Sequence, residues 1–557
     1  MTERAVDALS DTVTGDEPPT ITVEATPEGV ATAITHLPAR IATTSPRRSH
    51  PDARPHPPLV EFGATPDLPG GVPPPETGVE LQLPADREHL LVAAPLAYYL
   101  GATVHVGTET PRLLTPDREL SFDRLPAFQH EAASLFRDAF FLDTLVRGTS
   151  EEVGDSGIGL PADPERAFDL DRPPAALREA GLGDRLETYL DADRESLAGA
   201  RPAWYLSTYA DPTDAAARCL PFLLDDLSLI YLPDASDIDE QGLLRRSLDD
   251  FYRAPDDVAS VDVVAPELYD GELHGWLAEG VPVSAFTPSP AAYEHRLAAE
   301  AAAPQEDLSV AVVLNDAAMA DEHDDVARTC RERAGGHPAS VEVHESLRTA
   351  QLARVLERDH DFLHFIGHCE VSGLQCPDGG LDCESLSRSG ARTFFLNACG
   401  SYYQGRALVE AGSVAGAVTL RTVLNRQAAT VGTTFARLLT CGFGIERAVQ
   451  LARRQILMST DYAVVGDGTY AVADGEPTVV EVEPTGEGFA VTYGVPPEGA
   501  VGAGYRAPFE DGRRPRGTPA EATLDRTALA DLLADRWCPV VYDGALRWPN
   551  EVLEKLP

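Results

Sequence analysis

Five residues able to do chemistry stand close together in this chain, and a sixth follows shortly after. They are His364, His368, Cys369, Cys376, Cys383 and Cys399. Histidine and cysteine side chains together support two kinds of site. An imidazole can take the proton of a thiol so that the thiolate attacks an acyl carbon, or both side chains can ligate zinc. The spacing of these residues and the elements that carry them decide between the two.

The stretch from 308 to 473 alternates between apolar segments typical of strands and amphipathic segments typical of helices. The predicted strands are LSVAVVLND (308–316), SVEVHESL (340–347), DFLHFIGH (361–368), ARTFFLNAC (391–399), VAGAVTLRTV (414–423) and YAVVGDGTYAVA (462–473). The predicted helices are DEHDDVARTCRERAG (321–335), TAQLARVLERD (349–359), YQGRALVEAG (403–412) and TVGTTFARLLTCGFGIERAVQLARRQI (430–456). This alternation predicts an α/β fold with a doubly wound, mostly parallel six-stranded sheet.

Two of the predicted strands end on residues that can react with each other. DFLHFIGH ends on His368, and ARTFFLNAC, the next predicted strand, ends on Cys399. Chemistry in such sheets collects at the carboxyl ends of the strands, so we expect the imidazole and the thiol to face one crevice as a nucleophile and base pair. His364 lies four residues earlier, roughly 13 Å back along the strand. It is therefore predicted to be a buried strand residue.

A zinc site is the rival interpretation of this region. Structural zinc sites pair their ligands as C-x₂₋₄-C and H-x₃₋₅-H, whereas Cys369, Cys376 and Cys383 are separated by six residues each. His364 and His368 have a suitable spacing but lie too far apart on a strand to share a metal. No metal or other cofactor is therefore predicted. For Cys399 the alternative to a nucleophile is a small buried apolar residue.

Four segments together resemble a known family in their order and spacing. They are DFLHFIGHC, FFLNACGSYYQGRALVEAGSVAGAVTL, TVGTTFARLLTCGFGIERAVQLARRQ and YAVVGDGTYAV. Over about 305–475 the chain is similar to the CHAT domain, a caspase-like cysteine peptidase module related to caspases, separase and gingipains. The resemblance implies a caspase-like sheet, His368 as the general base and Cys399 as the nucleophile, with Gly400 following it as a small residue.

The resemblance also implies an oxyanion hole made of backbone N–H groups. In this chain the matching donors are those of Cys399 and of Cys369, the residue after the histidine. Each such donor can increase the rate by a factor of about 10² to 10³. The family usually has glycine where this chain has Cys369, so the N–H is kept but the backbone freedom of glycine is not.

In the wider clan, a charged residue near the pocket selects the substrate side chain that precedes the scissile bond. The candidates for lining this pocket are Glu370, Asp378, Asp382 and Asn397. The alternative for the three carboxylates is that they are solvated loop residues, because the whole chain is acidic. The long, Gly-rich segment that follows His368 is predicted to form part of the cleft wall.

The charge of the chain excludes some classes of partner. The formal net charge is −44, from 89 Asp and Glu against 45 Lys and Arg, and Lys555 is the single lysine. Such a surface repels nucleic acid and anionic lipid. The acidity is spread along the chain, which is typical of proteins of salt-loving archaea, since the Debye length is about 3 Å at 1 M salt. A halophilic, cytoplasmic protein is expected.

Neither a membrane span nor an export signal is predicted. The longest apolar run, 90–102, contains Pro95 and falls short of the roughly 18 residues of a span, so it is predicted to be a buried helix. The first residues are polar and acidic, unlike a signal peptide.

The sequence pattern predicts four regions. They are a small β unit with a Pro-rich insertion (1–85), a mainly helical α+β accessory region (86–304), the peptidase domain (305–475) and a small β-rich C-terminal domain (476–557). In the first region the β segments are TITVEATP, VATAITHLP and GVELQLP, and the insertion is SPRRSHPDARPHPP (45–58). By analogy, the flanking regions are expected to serve regulation or to bind a protein partner.

Two functions remain open at this point. One is a caspase-like cysteine endopeptidase that hydrolyses peptide bonds of a protein or peptide substrate with Cys399 and His368. The other is a catalytically inactive signalling or scaffold protein whose peptidase fold only binds partners.

Overall fold

The computed structural model describes most of the chain and divides it into two compact units. The described residues are 17–41, 45–148, 167–237, 261–302, 308–316, 339–420, 425–454, 462–473, 475–486, 488–534 and 536–556. Unit 1 comprises Met1–Leu232, Asp270–Glu272 and Gly499–Thr518, and unit 2 comprises Pro233–Tyr269, Leu273–Glu498 and Pro519–Pro557. The four-region division expected from the sequence stays a prediction. Among the described residues, no helix combines the length and the apolarity that a membrane span requires.

Unit 1 mixes short strands with helices. Its strands are β1 (Thr20–Val23), β2 (Leu59–Phe62), β3 (Glu80–Leu83), β4 (Thr103–Val106), β5 (Arg112–Leu114), β6 (Glu119–Ser121), β7 (Leu206–Ala210) and β8 (Leu229–Tyr231). Its helices are α1 (Pro27–His36), α2 (Arg87–Leu100), α3 (Ala127–Gly148), α4 (Pro174–Glu179), α5 (Leu182–Asp191), α6 (Arg194–Ala200) and α7 (Asp214–Asp225). β1 and β2 form a parallel pair, as do β7 and β8, and β4, β3, β5 and β6 form one sheet in that order.

The strand predicted for VATAITHLP (30–38) is wrong, because this segment lies in α1. Thr26 caps the helix by accepting a hydrogen bond from the Gly29 N–H at 3.1 Å, and Pro27 occupies the first turn, where it costs no hydrogen bond. Val30 and Ile34 are both buried and share one helix face, since they are four residues apart. The cap and this spacing together favour a helix over a strand.

The buried helix predicted for the apolar run 90–102 is present as α2, which covers Arg87–Leu100. The strands TITVEATP and GVELQLP are also present, as β1 and β3. The strands β4–β8, which interrupt the region predicted to be mainly helical, were missed. They have only three to five residues each, which is too short for their period to stand out in the sequence.

Unit 2 contains the elements that carry the candidate site. Its strands include β9 (Ala235–Asp237), β10 (Val263–Pro266), β11 (Leu273–Leu277), β12 (Val281–Pro282), β13 (Leu308–Leu314), β14 (Ala339–Glu345), β15 (His360–Ile366), β16 (Cys369–Glu370), β17 (Gly373–Cys376), β18 (Gly379–Leu381), β19 (Ala391–Asn397), β20 (Ala415–Thr419), β21 (Tyr462–Gly466), β22 (Val479–Thr485) and β23 (Gly488–Gly494). Its helices include α8 (Pro290–Ala301), α9 (Thr349–Leu356), α10 (Tyr402–Glu410), α11 (Asn425–Leu439) and α12 (Ile445–Arg453).

The central sheet of unit 2 has the order β14-β13-β15-β19-β20-β21. Its neighbouring strands run parallel, except that β21 runs antiparallel to β20. The predicted α/β fold with a mostly parallel sheet is therefore confirmed, whereas its caspase-like character stays a prediction. The helix predicted over 321–335 lies outside the described residues.

Helices cover both faces of this sheet. Successive residues of a strand point to opposite sides, so each central strand can contact helices on both faces. On one face the Phe362 and Phe395 rings contact the Phe435 ring of α11. On the other face Leu363 and Phe365 belong to an apolar cluster that includes residues of α9 and α10. All of these side chains are buried, so the sheet forms the core of the unit.

The single helix predicted over 430–456 is wrong, since α11 and α12 are separate helices. The turn between them contains Gly442 with φ +83°, a left-handed conformation that favours glycine. A Cβ at this position would also lie 2.7 Å from the Cα of Gly475. The apolar residues keep a helical spacing through this turn, so the sequence pattern did not reveal the break between the two helices.

The C-terminal part of unit 2 is rich in strands, as predicted. β22 and β23 form an antiparallel hairpin, Ala520–Leu524 pairs with β23, and Val540–Tyr542 pairs with both β22 and Ala545–Arg547. A helix covers Arg526–Leu533, and Asp525 caps it by accepting a hydrogen bond from the Ala528 N–H at 2.8 Å. A last helix covers Pro549–Lys555.

Candidate active site

The ends of β15 and β19 bring the two candidate catalytic residues to the same edge of the sheet. These strands are parallel neighbours, with Ile366 opposite Asn397. The Gly367 N–H donates a hydrogen bond to the Asn397 carbonyl at 3.3 Å. His368 and Cys399 each lie two residues beyond the Ile366 and Asn397 pair. They therefore leave adjacent strands at matching positions.

The imidazole of His368 is paired with a carboxylate that the sequence analysis missed. Its Nε2 atom lies 3.2 Å from Oδ2 of Asp316, and the side chains are 59% and 16% exposed, respectively. Asp316 follows β13, the strand next to β15. A carboxylate in this position holds the imidazole in one orientation and stabilises the imidazolium that forms when the ring takes a proton. With Nε2 bonded to Asp316, Nδ1 is the nitrogen left for the thiol.

The turn that carries Cys399 is fixed by two hydroxyl groups, which the sequence analysis also missed. The Ser401 hydroxyl donates to the Leu396 carbonyl at 3.1 Å and accepts from the Thr419 N–H at 3.1 Å. The Thr419 hydroxyl donates to the Ala398 carbonyl. These bonds hold the backbone on both sides of Cys399.

Gly400, directly after Cys399, has φ +68°. This left-handed conformation favours glycine, and it turns the chain sharply after the strand. The Cys399 thiol is free and partly exposed. The backbone conformation therefore explains why glycine follows Cys399.

Cys369, directly after His368, contacts this turn through its side chain. Cys369 and Leu374 are partners in the antiparallel hairpin of β16 and β17, and the Gln375 N–H donates to the His368 carbonyl at 2.9 Å. Because bonded and non-bonded pairs alternate in antiparallel strands, the Cys369 N–H falls outside the hairpin ladder. The Cys369 Sγ atom lies 3.9 Å from the Gly400 carbonyl oxygen, so the loops after β15 and β19 contact each other.

The other cysteines of the region are poor nucleophiles. Burial raises the pKa of Cys369 to about 12, and the neighbouring Cys399 and Glu370 add to this effect. Burial, followed by the charge of Asp378, raises the pKa of Cys376 to about 11. The pKa of Cys383 is also raised, mainly by burial. These three side chains remain thiols at neutral pH, which makes them poor candidates for a nucleophile.

The described residues contain no group of three or more His, Cys, Asp or Glu side chains arranged to hold a metal ion. His364, the second histidine of the opening stretch, is fully buried in β15. Its ring packs against the Phe395 ring with centroids 4.9 Å apart. The expectation that His364 is a buried strand residue is confirmed.

The four candidate pocket residues lie in different surroundings. Asp378 accepts a hydrogen bond from the Thr349 N–H at 2.8 Å, at the start of α9. Asp382 caps the short 3₁₀ turn at 383–385. Asn397 is only 2% exposed and so offers almost no surface to a ligand. Glu370 is exposed next to Cys369, and the role of all four in a pocket stays a prediction.

Asn315, next to Asp316, forms hydrogen bonds with two other segments near the site. Its Oδ1 accepts from the Leu347 N–H at 2.8 Å, and its Nδ2 donates to the Leu347 carbonyl at 3.1 Å and to the Gln375 carbonyl at 3.2 Å. The loop that carries Asp316 is thereby fastened to the hairpin that follows His368. This residue, too, was missed in the sequence, where its only signal is its place at the end of the strand LSVAVVLND.

No family model matches the chain, and no curated protein matches it. Among solved structures, the Arg-specific cysteine proteinase gingipain R is 10% identical, with a TM-score of 0.33, over 58% of this chain and 92% of its own. A structure named only as a protease is 8% identical, with a TM-score of 0.35, over 59% of this chain and 94% of its own.

The separase–securin complex of Saccharomyces cerevisiae is 10% identical, with a TM-score of 0.26, over 36% of this chain, which spans 16% of the matched chain. Separase and gingipain are cysteine proteases, but these identities and TM-scores are too low to establish a shared fold.

Proposed function

We propose that the chain is a caspase-like cysteine endopeptidase of the CHAT type, with Cys399 as the nucleophile and His368 as the general base. One observation carries this proposal. The parallel register of β15 and β19 places His368 and Cys399 at matching positions of one sheet edge, with Asp316 at 3.2 Å from the imidazole. Nucleophile, base and a group that orients the base are the three parts that such chemistry needs.

In the proposed reaction, Nδ1 of His368 takes the proton of the Cys399 thiol, and the thiolate attacks the carbonyl carbon of a peptide bond. The backbone N–H groups of Cys369 and Cys399 stabilise the tetrahedral oxyanion. The imidazolium then gives its proton to the leaving amine, which leaves an acyl thioester on Cys399. His368 takes a proton from water, whose oxygen attacks the thioester and releases the acid and the free thiol.

The proposed substrate is a protein or peptide. Glu370 is exposed beside Cys369, and its charge acts on that thiol. We place Glu370 at the pocket for the residue before the cleaved bond, where its carboxylate favours a basic side chain. Asp378 and Asp382 instead accept hydrogen bonds from backbone N–H groups.

We also propose that the protein works in the cytoplasm at high salt, as the dispersed net charge of −44 suggests. The flanking regions are proposed to bind a regulatory protein.

The proposal is tested by alkylation with iodoacetamide at neutral pH in molar KCl, followed by peptide mass spectrometry. Cys399 should be labelled fastest, and His368→Ala should slow its labelling, because the thiolate depends on the base. Cys376→Ala is the matched control, since it removes another partly exposed thiol of the same region and should change nothing.

Cleavage of an unfolded protein substrate completes the test. Cys399→Ala should abolish cleavage while leaving the melting curve unchanged. Cleavage that survives Cys399→Ala would show that the nucleophile is another residue. Equal labelling of Cys399 with and without His368, together with no cleavage, would favour the inactive scaffold protein.

A further inference from the structure

Charged side chains of the Pro-rich segment 45–58 lie buried in the interior of unit 1. The segment forms two 3₁₀ turns, Pro46–Ser49 and Pro51–Ala53. Arg48, in the first turn, is 0% exposed, and Arg54, after the second, is 8% exposed. Arginine is almost never buried to this degree unless it is paired. What surrounds these two side chains therefore needs an explanation.

Arg48 approaches a carboxylate that other groups already occupy. Asp143 of α3 accepts hydrogen bonds from the Tyr99 and Tyr189 hydroxyls, each at 2.9 Å, and from Arg185 Nε at 3.1 Å. The Arg48 Nε atom lies farther away, at 3.6 Å. Asp143 is thus committed mainly to Arg185 and the two tyrosines, and it leaves the Arg48 guanidinium incompletely paired.

Two more arginines reach the same interior, and their hydrogen bonds to other described residues go to neutral groups. Arg54 donates to the Arg48 and Val501 carbonyls at 3.2 and 2.8 Å, and Arg147 donates to the Gly502 carbonyl at 2.6 Å. A carbonyl accepts the hydrogen bond but does not neutralise the charge. Burial lowers the pKa of Arg147 to about 10, since its charged form is poorly solvated.

Among the described residues, the arginine cluster, defined as Arg48, Arg54, Arg147 and Arg185, carries more positive charge than the neighbouring carboxylates cancel. Asp143 is a buried carboxylate in contact with it, and the charge of Asp225 acts on Arg54. The positive charge of the cluster also affects a neighbouring group. Burial, followed by the charge of Arg147, lowers the pKa of His50 to about 4. Buried positive charge without a counter-charge is costly.

Hydrogen-bond donors of the cluster also remain without acceptors. In the part of the chain that the structure describes, Nε, Nη1 and Nη2 of Arg48, Nη1 of Arg147 and Nη2 of Arg185 are buried and have no hydrogen-bond partner. The buried hydroxyls of Tyr98 and Thr144 likewise have no hydrogen-bond partner among the described residues. The Tyr99 ring covers one face of the Arg48 guanidinium at 4.1 Å, but it cannot serve the N–H groups at the guanidinium edge. An unmet charge and unmet donors therefore occur in the same cluster.

We propose that the arginine cluster is an internal binding site for one small monovalent anion, with chloride as its ligand. Such an ion accepts hydrogen bonds from N–H and O–H groups and cancels one positive charge. The donors are sealed from solvent, so we take the ligand to be a small ion. The ion would be enclosed as unit 1 folds, and it would stabilise the folded state by mass action. This site is independent of the proposed peptidase activity.

The first test measures the melting temperature of the full-length protein in about 2 M potassium gluconate, where surface charges are already screened. Gluconate is replaced in small steps by chloride at constant ionic strength. The melting temperature of the wild type should rise and then level off, with a total increase of the order of 5 °C. Arg48→Gln should remove this dependence on chloride.

The matched control is Arg112→Gln, which removes an exposed arginine of unit 1 that pairs with Glu119. It should keep the full response to chloride. A wild-type melting temperature that does not change with chloride would overturn the proposal. Equal responses in Arg48→Gln and the wild type would do the same.

A second test does not depend on the folding of any variant. Wild-type crystals grown in bromide should show an anomalous peak within hydrogen-bond distance of the Arg48 guanidinium. If water alone fills the cluster, no peak appears there and the anion site is refuted.

Discussion

Replacement of Asp316 by asparagine tests whether the carboxylate acts on the reaction through His368. Two unit charges 3.2 Å apart attract by about 1.3 kcal/mol in water and by about 5 kcal/mol at an effective dielectric constant of 20. His368 is 59% exposed and Asp316 is 16% exposed, so solvent screening keeps the interaction near the lower limit. We take about 1.3 to 2.7 kcal/mol, which corresponds to a rate factor of about 10 to 100.

The assay is hydrolysis of a fluorogenic peptide with a basic residue before the cleaved bond, measured in molar KCl. Asp316→Asn should lower kcat by about 10- to 100-fold. KM should change little, because Asp316 stabilises the imidazolium that forms during the reaction and does not bind the substrate. The melting temperature should stay near that of the wild type.

Glu342→Gln is the control for this prediction. Glu342 lies 3.4 Å from His344 in a second pair of histidine and carboxylate, on β14 at the edge of the same sheet. It should leave kcat unchanged. If Asp316→Asn retained kcat within a factor of about two, the carboxylate would have no part in the chemistry, and the assigned role of Asp316 would be refuted.

Three further predictions concern the stability of the whole chain. The melting temperature should rise steeply between tenths-molar and multimolar KCl, because screening weakens the repulsion of a surface with a net charge of −44; a flat curve would contradict this. The raised pKa of Cys369 favours its thiol in the folded state, so the stabilisation is present at neutral pH and is lost as pH rises from 9.0 to about 12. Urea unfolding in that window should show a smaller loss for Cys369→Ala than for the wild type. Treatment with EDTA should leave peptidase activity and melting temperature unchanged, and stoichiometric zinc lost together with the fold would contradict this.

The strands of the central sheet could be predicted because they are apolar and separated by helical patterns. Since two of the predicted segments end on His368 and Cys399, two residues beyond the observed ends of β15 and β19, the candidate pair also followed from the sequence. The role of Asp316 could not be predicted in this way. It depends on β13 lying next to β15, and the local sequence pattern does not determine the order of the strands in the sheet.

Other features depend on contacts between distant segments. Thr419 holds the turn of Cys399 from the end of β20, and no sequence motif links the two. The burial of Arg48 was hidden because a Pro-rich stretch with charged residues looks like an exposed loop. By contrast, the cap at Thr26 was visible in the sequence, and its neglect led to the wrong strand prediction for α1.

In the proposed peptidase, the hairpin that follows His368 would separate substrate recognition from the reacting residues. Its tip residue Val371 is 70% exposed, while its far end is fastened by Asp378 to the start of α9. His368 and Cys399, in contrast, are set by the backbone register of β15 and β19. If the proposed function holds, new residues at the tip would change the substrate range without moving His368 and Cys399, which makes this hairpin a suitable place for grafting new specificities.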